Sequence, residues 1–158
     1  MSYIFNADEV FEMAEQIERN GAEFYRTAAK NITDTDRKKQ LIHLAEMEDD
    51  HEKIFKKLRT ELTKKEKAST TFDPEGEAAI YLRAMADTRV FFEKEINITS
   101  FQEILKAAIT AEKDSIVFYL GMKDYVPVKL GKQRIDEIIK EEMSHIRLLS
   151  TELLALTK

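Results

Sequence analysis

Apolar residues recur along four long stretches of the chain at the i, i+3, i+4, i+7 spacing of a helix with one buried face. The first stretch, about Ala7 to Lys30, has Asn6 placed to cap it and Glu9 three residues on. The second runs from about Asp34 to Leu62, after a turn at Asn31-Ile32-Thr33-Asp34-Thr35 short enough to make the first two helices an antiparallel hairpin. A third starts at the capping pair Ser100 and Glu103 and continues to about Lys123; a fourth spans about Lys129 to Leu156, beyond a break at Tyr125-Val126-Pro127. Helices of this size are roughly 36 Å long, the usual length of four-helix-bundle members. Between the second and third, the polar run Thr63 to Thr71 reads as a loop, and Asp73-Pro74-Glu75 as the start of a further helix with Pro in its first position. That helix carries Ile80, Tyr81, Leu82 and Met85, so it is expected to cover a flank of the bundle or a partner subunit. The expected architecture is all-α: two antiparallel hairpins joined by a long crossover that contains an extra helix, folded as a single domain over residues 1–158.

Composition narrows the chemistry. The 158 residues hold four Gly, two Pro and no Cys, and 35% are charged, which suits long helices rather than a turn-rich β fold. Without Cys there are no disulfides, thiolate metal sites or thiol nucleophiles, and a reducing cytoplasm is the expected compartment. A net charge of −5 argues against nucleic acid as a partner, since a non-specific binder carries a basic stripe. No apolar run is long enough to span a membrane, and the start Met1-Ser2-Tyr3-Ile4-Phe5-Asn6 has neither a basic segment nor an apolar one.

The residues that interrupt the apolar stripes carry most of the information. The second helix reads Leu41, Leu44, Glu48, His51, Phe55, Leu58, and the fourth Ile135, Ile138, Glu142, His145, Leu149, Leu153. The first reads Phe11, Ala14, Glu18, Ala22, Tyr25, Ala28, and the third Leu105, Ala108, Glu112, Ile116, Tyr119, Met122. A lone ionised carboxylate in a dry core costs several kcal/mol even after relaxation, so four of them call for a neutralising partner. One offset of 94 residues relates Glu18 to Glu112, Tyr25 to Tyr119, Glu48 to Glu142 and His51 to His145. The pattern is that of a duplicated helical hairpin whose copies face each other about a pseudo-twofold axis. Glu and His at i, i+3 share a helix face and can reach one ion. Carboxylates can bridge two ions whereas an imidazole nitrogen serves one, so four Glu and two His suit a pair of cations. Two divalent ions leave that set electrically neutral. The remaining His43 falls off the stripe and reads as a surface residue; Glu137, Glu141 and Glu152 read as exposed; Met13, Met47, Met122 and Met143 read as core filler.

With Glu18…Tyr25, Glu48-Asp49-Asp50-His51, Glu112…Tyr119 and Glu142-Met143-Ser144-His145 in place, the chain resembles the ferritin-like diiron-carboxylate superfamily, and most closely its rubrerythrin branch. The resemblance implies a ferritin-like four-helix bundle in which Glu48 and Glu142 bridge both metals. Glu18 and Glu112 would then be terminal ligands, His51 and His145 would each bind one ion, and Tyr25 and Tyr119 would point back toward the helix-one and helix-three Glu residues. It further implies two iron ions cycling between Fe2+ and Fe3+, with manganese served by the same oxygen and nitrogen donors. The implied activity is reduction of hydrogen peroxide or dioxygen, and a homodimer is the expected assembly. Two departures stand out. Ser115 occupies the position where rubrerythrins carry a further carboxylate, and a Cys-free chain has no rubredoxin site, so the electron donor is expected to be a separate molecule such as a rubredoxin-like protein. Three rival readings remain: a di-manganese catalase, an iron-binding ferroxidase and storage protein, and a structural bundle that metal merely stabilises.

Overall fold

The computed structural model describes residues 7–62, 80, 84, 100–123 and 131–157. Four helices make up nearly all of it, with no strand among the described residues: α1 (Ala7–Lys30), α2 (Thr35–Thr60), α3 (Phe101–Met122) and α4 (Lys132–Leu156). The predicted cap at Asn6, the loop Thr63–Thr71, the helix start at Asp73-Pro74-Glu75 and the break at Tyr125-Val126-Pro127 lie outside the described residues, although Ile80 and Ala84 are both helical. Local chemistry accounts for the helix ends that are described. Asp34 accepts a hydrogen bond from the Arg37 amide at 3.0 Å and so opens α2; Ser100 does the same for α3 through the Glu103 amide at 3.4 Å. α4 opens at Lys132, three residues later than the apolar pattern suggests, with Gly131 before it and no side-chain cap.

Only four residues separate α1 from α2, and the pair packs antiparallel along its whole length. Ion pairs fix the register. Arg59, near the end of α2, holds Asp8 at 2.8 Å and the buried Glu15 at 2.9 Å; Arg19 holds Glu52 at 2.9 Å, and Arg26 donates both guanidinium arms to Asp49 farther along. α3 and α4 form the second hairpin, closed at one end by Lys123 and Asp136 at 2.5 Å.

The stripes read from the sequence all turn inward, with Ile116 and Leu153 at the edge of the core rather than within it. On α2, Leu41, Leu44 and Ala45 form an apolar layer on one side of Glu48 and His51, and Phe55 and Leu58 form another on the far side. Phe55 packs between Phe11 (centroids 6.3 Å) and Tyr119 (5.3 Å) with tilted rings, which ties α2 to both α1 and α3. A polar layer is thereby sealed between two greasy ones at mid-bundle, where water cannot solvate it. Two of the four expected core methionines are not in the core. Met143 follows the inward Glu142 by one residue, about 100° around the helix, and is 58% exposed; Met47 is half-buried beside Glu48.

Candidate metal centre

Glu18, Glu48, His51, Glu112, Glu142 and His145 come from four different helices and converge at mid-bundle, none more than 3% exposed. They fall into two overlapping groups. Glu18, Glu48, His51 and Glu142 each offer a donor atom within 4.8 Å of the others, and so do Glu48, Glu112, Glu142 and His145. Glu48 and Glu142 belong to both. Each imidazole turns Nδ1 into the cluster: His51 Nδ1 lies 2.8 Å from Glu142 and 3.4 Å from Glu18, and His145 Nδ1 lies 3.4 Å from Glu48 and 3.4 Å from Glu112. The two rings lie nearly parallel, with centroids 6.0 Å apart, an arrangement that a pseudo-twofold axis between them permits.

The donor set fits a metal pair. Both oxygens of Glu142, one each of Glu18, Glu48 and Glu112, and Nδ1 of both histidines are buried without a hydrogen-bond partner. Native interiors seldom leave such atoms unsatisfied, and seven of them pointing at one centre is the signature of a cation cavity. In the metal-free chain, protons take up part of that role. Burial and the three neighbouring carboxylates push Glu48 well above its ordinary range, and burial together with Glu142 pushes up Glu112. Burial opposes charge on His51, yet the carboxylates of Glu142 and Glu18 close beside it outweigh this and carry it to about 12; His145, beside Glu112 and Glu142, rises to about 10. Glu142 goes the other way. Burial would raise it, but the close approach of Glu112, His145 and His51 keeps it ionised.

The tyrosines are cross-paired. Tyr25 of α1 donates to Glu112 of α3 at 2.5 Å, and Tyr119 of α3 donates to Glu18 of α1. The expectation that each tyrosine bonds the Glu it follows on its own helix is corrected here: these hydrogen bonds cross the bundle to the outer Glu of the facing helix, which lies nearer the hydroxyl than a residue two turns back. Burial, followed by the adjacent carboxylates, holds both phenols well above their usual range, so they stay protonated donors. Tyr25→Phe or Tyr119→Phe leaves one outer carboxylate without its donor, and is expected to cost metal-loaded protein about 1–3 kcal/mol of stability, read as a lowered midpoint in thermal unfolding. An unchanged midpoint in both variants would show the hydroxyls to be incidental.

One contact was not foreseen. Glu141 is half exposed, as its phase implies, but its carboxylate reaches back to His51 Nε2 at 2.5 Å. A signal was present: Glu141 directly precedes Glu142, and a long side chain beginning just off a buried stripe can fold over its edge. Ser115 is buried and donates to the Ala111 carbonyl at 3.1 Å, while His43 is exposed.

No helix among the described residues is long and apolar enough to cross a membrane. No curated protein matches the chain. A crystal structure from Thermotoga maritima, provisionally described as a ferritin-like diiron-carboxylate protein, shares the fold: it superposes with a TM-score of 0.70 at 24% identity, with 97% of each chain covered. The Rubrerythrin family model matches residues 9–153, nearly the whole duplicated hairpin, and the chain belongs to the rubrerythrin family.

Proposed function

We propose that this protein is a non-haem di-iron oxidoreductase that reduces hydrogen peroxide or dioxygen, with electrons from a separate donor. The observation that supports it most directly is the pair of overlapping buried donor groups sharing Glu48 and Glu142. Glu48 and Glu142 serve as the shared ligands, Glu18 and His51 complete one position, and Glu112 and His145 complete the other. Bound there, two ferrous ions supply the two electrons that, with two protons, reduce peroxide to two waters.

The chain's own residues hold that centre. Four carboxylates and two neutral imidazoles match two divalent cations in charge, so the filled pocket carries no net charge into a dry core. Tyr25 and Tyr119 fix the outer carboxylates by donating to one oxygen each and leaving the other for the cation. Ser115, bonded to its own helix, adds no anion beside Glu112, which keeps the ligand set at six residues. Leu44, Phe55, Ile138 and Leu149 on α2 and α4 wall the layer from solvent.

The test is anaerobic loading with ferrous iron followed by addition of hydrogen peroxide. The expected result is oxidation of two ferrous ions per peroxide consumed, restored to the ferrous state by an added reductant, over repeated cycles. Protein that holds two irons yet consumes no peroxide and no dioxygen would overturn the proposal. Oxygen release from peroxide by manganese-loaded protein without a reductant would replace it with a catalase.

A further inference from the structure

The two halves of the centre are related by the 94-residue offset, so each feature of one half has a stated counterpart in the other. The counterparts agree at the four Glu, the two His and the two Tyr. They disagree at the outer face of the imidazoles. His51 Nε2 meets Glu141 at 2.5 Å, whereas His145 Nε2 is buried and has no hydrogen-bond partner among the described residues. The offset explains the difference, since it maps Glu141 onto Met47, which precedes the shared Glu48 as Glu141 precedes the shared Glu142. A thioether is only a weak acceptor and gives a ring N–H little to bond.

We infer that the two metal positions are unequal, the His51 position binding its ion more tightly, and that Glu141 is the positioning residue that makes it so. This rests on the metal-centre reading above and deepens it. A neutral imidazole that ligates through Nδ1 carries its proton on Nε2. At His51 that proton is donated to a carboxylate, which fixes the tautomer, sets the ring plane toward Glu18 and Glu142, and makes the ligating nitrogen more electron-rich. At His145 the same N–H is buried without an acceptor, so on its outer side the ring is neither oriented nor polarised. Glu141 itself belongs to neither donor group, being on the far side of the ring. Because it is half exposed on α4, replacing it removes the contact with His51 without emptying a place in the apolar core. Metal loading therefore proceeds in two steps, with the His51 side filled first.

The experiment is anaerobic titration of the full chain with Fe2+, followed by calorimetry and by Mössbauer spectra at one and two equivalents. The wild type is expected to show two steps, with a single iron environment at one equivalent and a second appearing only beyond it. Glu141→Ala should weaken the first step about 10–100-fold and mix the two environments at one equivalent, with Glu141→Gln, which keeps an acceptor oxygen, recovering part of the loss. Met47→Glu supplies the missing acceptor and should tighten the second step by a similar factor. Two ions bound with one affinity and insensitive to Glu141→Ala would overturn the inequality while leaving the centre intact, and so would a second step unmoved by Met47→Glu. Failure of the wild type to bind two ions at all would instead remove the centre.

Discussion

Glu48→Gln combined with Glu142→Gln is expected to abolish binding of both metal ions while leaving a folded helical protein. These two carboxylates are the only residues common to the two donor groups, so the double change takes a ligand twice over from each position. Charge makes the loss steep. With Glu18 and Glu112 alone, two divalent cations would carry two uncompensated positive charges in a layer sealed by Leu44, Phe55 and Leu149, and desolvating even one unpaired charge costs several kcal/mol. Gln keeps the volume and an acceptor oxygen, so the core does not collapse into a cavity. Metal content after desalting should drop from two ions per chain to a trace, and the rise in thermal midpoint that metal gives the wild type should vanish with it. Single changes should be milder: Glu18→Gln weakens the His51 side, and Glu112→Gln the His145 side. If the double variant still held two ions, the shared-ligand geometry would be wrong. Glu137→Gln, exposed on α4 and outside both groups, serves as the control that should change nothing.

Why this site could be read from the chain while some of its surroundings could not follows from how each residue is specified. Glu18, Glu48, Glu112 and Glu142 announce themselves because they break an apolar period that burial otherwise enforces, and a buried charge is too costly to be accidental. The 94-residue offset then supplies their mutual placement without any tertiary information. Helix spans follow from the same periodicity, and the hairpin from a turn too short to allow anything else. What periodicity lacks is reach. Glu141 starts from an exposed phase and arrives at His51 through its own length and rotamer, which the sequence does not encode as a pattern. The cross-pairing of Tyr25 with Glu112 and Tyr119 with Glu18 depends on the distance between α1 and α3, a property of packing rather than of either helix. Met143 shows the converse error: residue type suggested the core, but its position one step past Glu142 put it outside.

With metal withheld, the thermal midpoint is expected to fall as pH rises from about 6 to about 9, whereas metal-loaded protein should hold steady or gain. The metal-free fold keeps protons that the unfolded chain gives up. His51 and His145 rise to about 12 and about 10, because the carboxylates beside them, Glu142 with Glu18 and Glu112 with Glu142, overcome the penalty of burial. A group whose folded pKa lies above its unfolded value stabilises the fold fully below the unfolded value and loses that contribution as pH climbs toward the folded one. For both histidines the loss therefore begins near pH 6.5, and the raised Glu48 and Glu112 carboxyls add loss of the same sign, beginning at lower pH. Glu142, held low, contributes throughout this window and fails only in acid. One net proton retained across three pH units amounts to about 4 kcal/mol, or roughly 8–16 °C for a chain of this size. Cations reverse the dependence: they need the same donors deprotonated, so their affinity grows as the protons leave. Circular-dichroism melts in chelator and in excess Mn2+, at matched pH values, should thus diverge progressively on the alkaline side. Parallel curves would mean that protons and metal do not compete for these six side chains, and that the orphaned donor atoms of the cluster answer to something other than a cation.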